Sequence, residues 1–255
     1  IFTILKVINT FQSNPYPFPP VEPAGGTALW AGYLRAGLSS AELAPSDVGD
    51  VVGVGGTLDP ASVLTAYRLG VFPMGLGEGG TPPMGWWCPT WRGVLRPGHV
   101  HVSRSLRRSL RRFEVSVDED FAAVVAACAD PDRDGHWITP DVVAAYTELH
   151  ALGWAHSVEV RDGDGTLVGG LYGIAVGGLF AGESMFHHAT DASKAALVHL
   201  DRMIAADGDP RRIIDVQWRT PHLGSLGIEE IHRREYLARL RLALEAPTPD
   251  LATLV

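Results

Sequence analysis

The chain has 255 residues, of which 46% are hydrophobic and 20% charged, and a formal net charge of −8. That is room for one large domain or two modest ones; two cysteines argue against a disulfide framework and suit a reducing compartment, and no run of about 18 apolar residues could span a membrane. An acidic balance argues against a general nucleic-acid binder, yet seven arginines and no acidic residue fall between Arg92 and Arg112, an asymmetry that can mark a polyanion-binding face.

In chain order, the opening "IFTILKVINTF" is as apolar as a signal-peptide core but lacks a basic leader and a clear small-residue cleavage site. Residues 1–17 are read as a loose extension and 12–32, rich in Pro and Gly, as irregular chain. "LDPASVLTAYRLGVFP" predicts a helix over 58–73, with Asp59 as N-cap, Pro60 at the first helical position, and Gly70 and Pro73 as stop signals. "MGLGEGGTPPMG" (74–85) reads as a flexible loop ending at Trp86 and Trp87. "GVLRP" reads as a strand. "SRSLRRSLRRF" (103–113) reads as a basic helix with Leu106 and Leu110 inward. Its arginines face phosphates or simply water.

"FEVSVD" alternates as a strand, and "EDFAAVVAACA" and "TPDVVAAYTELHALG" read as helices, the second capped by Thr139 and opened by Pro140. Residues 156–186 read as three strands joined by glycine turns, 191–208 as a helix, 213–218 as a strand and "RREYLARLRLAL" as a last helix, with a loose tail after Glu245. The order describes helices around a mostly antiparallel sheet. In the strand "IIDVQW", period-2 geometry puts Asp215 and Gln217 on one face. A buried carboxylate needs partners, so this pair is either structural or chemical. No Cys, His and carboxylate cluster has zinc-ligand spacing; His187-His188 is the only histidine doublet.

Five ordered stretches, "LDPASVLTAYRLGVFP", "WITPDVVAAYTELHALGWAHSVEV", "LVGGLYGIAVGGLFAGESMF", "DASKAALVHL" and "IIDVQWRTPHLGSLG", together resemble the leucyl/phenylalanyl-tRNA–protein transferases, from about Phe18 to Leu240. The resemblance implies an α+β fold. A small N-terminal domain (1–91) precedes a GCN5-acetyltransferase-like (GNAT-like) α/β domain (92–245) with a mostly antiparallel sheet, then a tail (246–255). It implies transfer of Leu, also Phe and possibly Met, from aminoacyl-tRNA to proteins with an N-terminal Arg or Lys, marking them for degradation. No cofactor, metal or membrane is implied, and a cytoplasmic monomer is expected. The donor ester is already activated, so the reaction needs positioning, an apolar pocket and a group that takes the amine's proton.

By the resemblance, Asp215, Gln217 and Glu183 are the catalytic positions, with Asp215 and Gln217 helping to take the amine's proton. Glu183 could pair with the amine or with the basic acceptor residue, orient Asp215 or the tRNA ribose, or form a plain salt bridge. Trp137, Met74, Tyr67 and Tyr146 map to the tRNA 3′-end contacts. Met74 stands where the family has a second tryptophan, and Trp86 or Trp87 could compensate. Leu171, Phe180 and Met185 are expected to form an aliphatic-sized amino-acid pocket. Arg104, Arg107, Arg108, Arg111 and Arg112 are the candidate tRNA-backbone contacts. The chain departs from the family at Thr57, at "CPTWR", and at Val216, which is expected to face away from the Asp/Gln face. Two other classes fit less of the sequence. An acyl-CoA-dependent N-acetyltransferase would want a basic pyrophosphate loop that "GGLYGIAVGG" lacks. A silent tRNA-binding protein has only Met74 in its favour.

Overall fold

The computed structural model describes residues 50–133, 135–249 and 251; the extension at 1–17 and the irregular chain at 12–32 lie outside them. Two sheets are present among the described residues. The smaller has strands β1 (Val51–Val54), β2 (Phe72–Gly75) and β3 (Met84–Trp87) in the order β1-β3-β2, all antiparallel. The larger has seven strands in the order β10-β4-β9-β8-β7-β6-β5: β4 (Trp91–Leu95), β5 (Glu114–Val117), β6 (Ala155–Arg161), β7 (Leu167–Val176), β8 (Leu179–His187), β9 (Ile213–Gln217) and β10 (Glu229–His232).

One element was too long in the sequence reading. Helix α1 ends at Arg68 (Pro60–Arg68), and "FPMG" is strand β2. Gly70, at φ 76°, turns the chain between them, and a Cβ there would lie 2.6 Å from a Leu237 methyl. The Gly/Pro stretch expected to be a flexible loop is a hairpin, closed by the β2–β3 ladder. A side chain on Gly80 would meet the Trp137 carbonyl oxygen at 2.0 Å, so the glycine lets this hairpin press on the loop that carries Trp137.

The remaining helices are α2 (Arg104–Ser109), α3 (Phe121–Cys128), α4 (Pro140–Ala151), α5 (Ala192–Ala205), α6 (Pro221–Ser225) and α7 (Arg233–Leu244). Their caps follow the sequence: Asp59 accepts from the Ser62 N–H, Thr139 from Val142 and Ser103 from Leu106. The large sheet is covered on both faces. Side chains of α1, α3, α4 and α7 pack on one face, around Tyr146, Tyr172 and Leu179. Helix α5 packs on the other, with Leu197, Leu200 and Ile204 against Phe180 and Ile214. The tail read as loose instead packs: Ala246 and Leu251 are buried, and the Pro247 carbonyl accepts from Arg212. No helix among the described residues is long and apolar enough to cross a membrane.

One junction of the sheet differs from the rest. β8 and β9 are its single parallel pair, matched only at Leu179↔Ile213, Phe180↔Ile214 and Ala181↔Asp215. Beyond these three positions the paired register ends, and β8 runs on through Gly182 to His187. The end of this pairing borders a cavity lined by residues of both strands, the candidate site.

Candidate active site

Asp215 lies on β9 with no exposed surface, and every partner it needs is supplied. Arg92 on β4 grips it in bidentate fashion, Nε to Oδ1 at 2.8 Å and Nη2 to Oδ2 at 2.6 Å. The Tyr236 hydroxyl of α7 donates to Oδ2 at 2.7 Å, and the Gln217 backbone N–H to Oδ1 at 2.9 Å. The guanidinium also donates to the Gly70 carbonyl and lies over the rings of Phe72 and Tyr236, 4.7 and 4.5 Å from their centroids. A buried ion pair needs geometry of this quality to offset its desolvation. Arg92 and Tyr236 escaped the sequence reading. Arg92 is one of seven arginines in a run, and its partner is 123 residues away.

Asp215 and Gln217 were expected to share a strand face. Instead, the backbone of Gln217 takes φ 55°, a left-handed conformation that side-chain-bearing residues adopt at a cost. The turn breaks the period-2 pattern. Asp215 faces the α7 side, whereas Gln217 borders a cavity on the opposite side together with Ile214 and Val216. Val216 does point away from Asp215, but that direction is into the pocket wall. Gln217 is buried, and its Nε2 has no hydrogen-bond partner among the described residues.

Glu183, on β8 just past the point where the strands part, also borders this cavity. Its carboxylate meets two phenols brought from separate helices, Tyr67 of α1 at 2.5 Å and Tyr146 of α4 at 2.9 Å. The phenol oxygens are 2.7 Å from each other. Burial pushes the Glu183 carboxyl up to about 7, against the two phenol hydrogen bonds that draw it down. The same burial, with Glu183 beside them, holds both phenols well above their usual range. Both hydroxyls are enclosed at Glu183, and no face of either ring is open for a base to stack on.

The cavity measures about 120 Å³. Leu171 and Met185, expected in the pocket, line it, and Leu197 and Leu200 of α5 and Leu223 of α6 complete the apolar wall. Phe180 does not line it; it is buried in the core beneath, on the α5 side. The two leucines of α5 sat unnoticed in an ordinary amphipathic repeat. For scale, an apolar cavity of about 150 Å³ takes benzene, so the space suits an aliphatic side chain with little adjustment.

Trp137 and Met74 are both half-buried, and the close Gly75–Gly80–Trp137 packing brings their segments side by side. Of the two tryptophans offered as alternative substitutes at Met74, Trp86 is enclosed in the small sheet with its indole N–H on the Gly55 carbonyl. Trp87 is half-buried, and its N–H donates to the Met74 carbonyl. It meets Trp218 edge-on at 5.6 Å, next to Gln217 in the chain.

The five arginines 104, 107, 108, 111 and 112 are all exposed, on α2 and the 3-10 turn Leu110–Arg112 that continues it. None of Arg104, Arg107, Arg108 or Arg111 forms an ion pair among the described residues. Reversing the charge at Arg107 and Arg108 is expected to weaken binding of aminoacyl-tRNA and to lower the slope of log affinity against log salt by about 0.9 for each lost phosphate contact. An unchanged salt series would make this helix a merely solvated face.

Comparison with known proteins adds the following. A family model described as leucyl/phenylalanyl-tRNA protein transferase matches residues 94–241, and one described as the N-terminal domain of that transferase matches residues 56–90. Among curated relatives, a leucyl/phenylalanyl-tRNA–protein transferase of Dechloromonas aromatica is 46% identical over 213 residues, 82% of this chain and 88% of the relative. One from Cereibacter sphaeroides is 52% identical over 190 residues, 74% and 86% of the two chains. One from Solidesulfovibrio magneticus is 47% identical over 205 residues, 78% and 81%. A solved structure described as "The structure of L-PGS from Bacillus licheniformis" superposes with a TM-score of 0.35 at 10% identity, over 66% of this chain and 55% of that one. That likeness is too slight to carry an argument.

Proposed function

The chain belongs to the leucyl/phenylalanyl-tRNA–protein transferase family and is an aminoacyltransferase that moves an amino acid from aminoacyl-tRNA to a protein N-terminus; from that premise we propose how its site works. The donors are Leu-tRNA and Phe-tRNA, with Met also admitted, and the acceptors are proteins that begin with Arg or Lys. The product enters N-degron degradation. We place the reaction in the cytoplasm, in a monomer divided near residue 91, with an acetyltransferase-like sheet after the division. The parting of β8 from β9 supports that last reading, because it opens a sheet interior to an acyl group without breaking the core.

The observation that carries the mechanism is a pocket holding one unpartnered amide and one carboxyl. The donor's side chain enters the apolar cavity between Leu171, Met185, Leu197 and Leu200. Its ester carbonyl then lies near Gln217. A carboxamide cannot hold an amine's proton, but its N–H₂ donates well. The unsatisfied Nε2 is suited to the carbonyl oxygen as negative charge builds there. Asp215 is assigned as a positioning residue, since its oxygens already accept from Arg92, Tyr236 and the Gln217 N–H. Proton movement falls to Glu183, the single carboxyl lining the pocket among the described residues. Trp137, Met74 and Trp87 are assigned to the terminal nucleotide and the exposed arginines to the tRNA backbone.

Mass analysis of peptides starting with Arg, Lys or Ala, after incubation with Leu-tRNA or Phe-tRNA, tests this function. One-residue extension of the Arg and Lys peptides is expected, and extension of the Ala peptide alone would overturn the acceptor assignment. The same assay tests the pocket. Gly182 borders the cavity, and a Cβ there meets nothing nearer than a carbonyl oxygen at 3.7 Å. Gly182→Ala should fold normally and shrink the pocket, lowering transfer of Phe more than that of Leu. Equal loss for both donors would place the side chain elsewhere.

A further inference from the structure

Three oxygen-bearing groups close a ring at Glu183, and its protons can be counted. There are three contacts: Tyr67 Oη to Glu183 Oε1 at 2.5 Å, Tyr146 Oη to Oε2 at 2.9 Å, and Tyr67 Oη to Tyr146 Oη at 2.7 Å. Each is a hydrogen-bond distance and needs one proton between its oxygens. The two phenols supply two. With Glu183 ionised, both point at the carboxylate, and the phenol oxygens face each other 2.7 Å apart with no proton between them. With Glu183 protonated the count is three. Oε2–H then donates to Tyr146, Tyr146 to Tyr67, and Tyr67 to Oε1. Such a head-to-tail ring is self-reinforcing in a low-dielectric interior.

From this count we infer that Glu183 enters the reaction as a neutral carboxylic acid and serves as a two-way proton carrier, one oxygen taking a proton from the attacking amine while the other gives its proton to the departing ribose oxygen. The inference rests on the transfer reaction proposed above. The step balances. The amine nitrogen forms a bond to the ester carbonyl carbon, and the bond from that carbon to the tRNA ribose oxygen breaks. The nitrogen's surplus proton goes to one Glu183 oxygen, the proton from the other oxygen goes to the ribose, and Glu183 ends as it began. The amine must arrive neutral, which an α-amine of pKa about 8 does in useful amount near neutral pH.

The surroundings agree with a proton held on Glu183. The groups acting on it are Tyr67 of α1, Tyr146 of α4, and Asp215 and Arg92 across the strand gap; Tyr172 of β7 lies beside Tyr146. Asp215 disfavours a second negative charge. Arg92 would favour one, but its guanidinium is engaged by Asp215. The carboxyl's position at about 7 fits the ring being closed at and below neutral pH.

Infrared spectra of the full-length enzyme test the inference. At about pH 6 ordinary carboxyls are ionised, so a carboxylic-acid C=O band that persists there and fades toward about pH 9 is expected in the wild type. Glu183→Gln should lack it. Tyr146→Phe should keep the band but shift its frequency, because one hydrogen bond of the ring is gone; this variant serves where Glu183→Gln folds poorly. In single-turnover transfer from Leu-tRNA to an Arg peptide, the wild-type rate should rise and then fall with pH. Glu183→Gln should lose the falling limb and run about 10²–10⁴-fold slower. No such band in the wild type, or the same band in Glu183→Gln, overturns the inference. Absence of any transfer by the wild type would instead count against the reaction itself.

Discussion

Asp215→Ala should lower stability by about 3–5 kcal/mol, because it leaves the Arg92 guanidinium buried without its counter-charge. The environment allows no easy escape for that charge. Arg92 is 1% exposed, roofed by Phe72 and Tyr236, and its other hydrogen-bond partners are two neutral groups, the Gly70 carbonyl and the Tyr236 hydroxyl. Urea unfolding followed by tryptophan fluorescence measures the loss as a lower midpoint with an unchanged slope. Transfer should fail as well, since the Gln217 N–H loses its acceptor, but failure alone would not separate chemistry from folding. The double variant Arg92→Met/Asp215→Leu does. Replacing both members of a buried pair with apolar groups can be neutral or stabilising, so stability should return while activity does not. Recovery of transfer by the double variant would show that Asp215 is only a structural partner.

Gln217→Gly should make the protein more stable and the enzyme slower. At φ 55° the glutamine sits in a conformation that glycine adopts freely. Removing the side chain also removes a buried donor with no partner. Together these should raise stability by about 1 kcal/mol, less whatever the lost packing removes. The rate of transfer should fall about 10²–10³-fold, the range found when a single oxyanion donor is deleted. Because the lost contact forms as charge develops on the carbonyl, kcat should carry the loss and KM for Leu-tRNA should move little. A loss confined to KM would make Gln217 a ground-state contact. A strained residue beside a reacting centre is how a fold keeps a polar group aimed where its own interior cannot satisfy it.

The parts of this fold legible in the sequence were those written in local patterns. Thr139-Pro140 and Asp59-Pro60 announce helix starts, and the glycine-separated runs from 156 to 186 announce the three central strands, which the structure has between Ala155 and His187. Strands β1 and β10 were missed because they have four residues each and draw their stability from partners far along the chain. The 74–85 hairpin was hidden by its Gly and Pro content, which marks a turn without saying that strands flank it. In the site, Glu183 with Tyr67 and Tyr146 came from the family resemblance, and the structure brings their oxygens together. Arg92 and Tyr236 carry no local mark. The shared face of Asp215 and Gln217 was a sound inference for a regular strand, and the left-handed turn at Gln217 ended it.

Arg92 and Tyr67 have one more consequence. The two family matches meet between residues 90 and 94, as though the chain were two separable modules. Yet Arg92, at that seam, binds Gly70 on one side and Asp215 on the other. Tyr67, from the first segment, closes a ring whose other members belong to the second. Helix α7 seals the crossing from behind, with Tyr236 against Arg92 and Leu237 against the Gly70 turn. Contacts buried this deeply should link the opening of one segment to the opening of the other, so residues 50–90 and the large sheet are expected to unfold together even though their sequences divide near residue 91. Native-state hydrogen exchange should then show the slowest amides of both segments sharing one opening free energy, and separate values for the two would mark them as independent units.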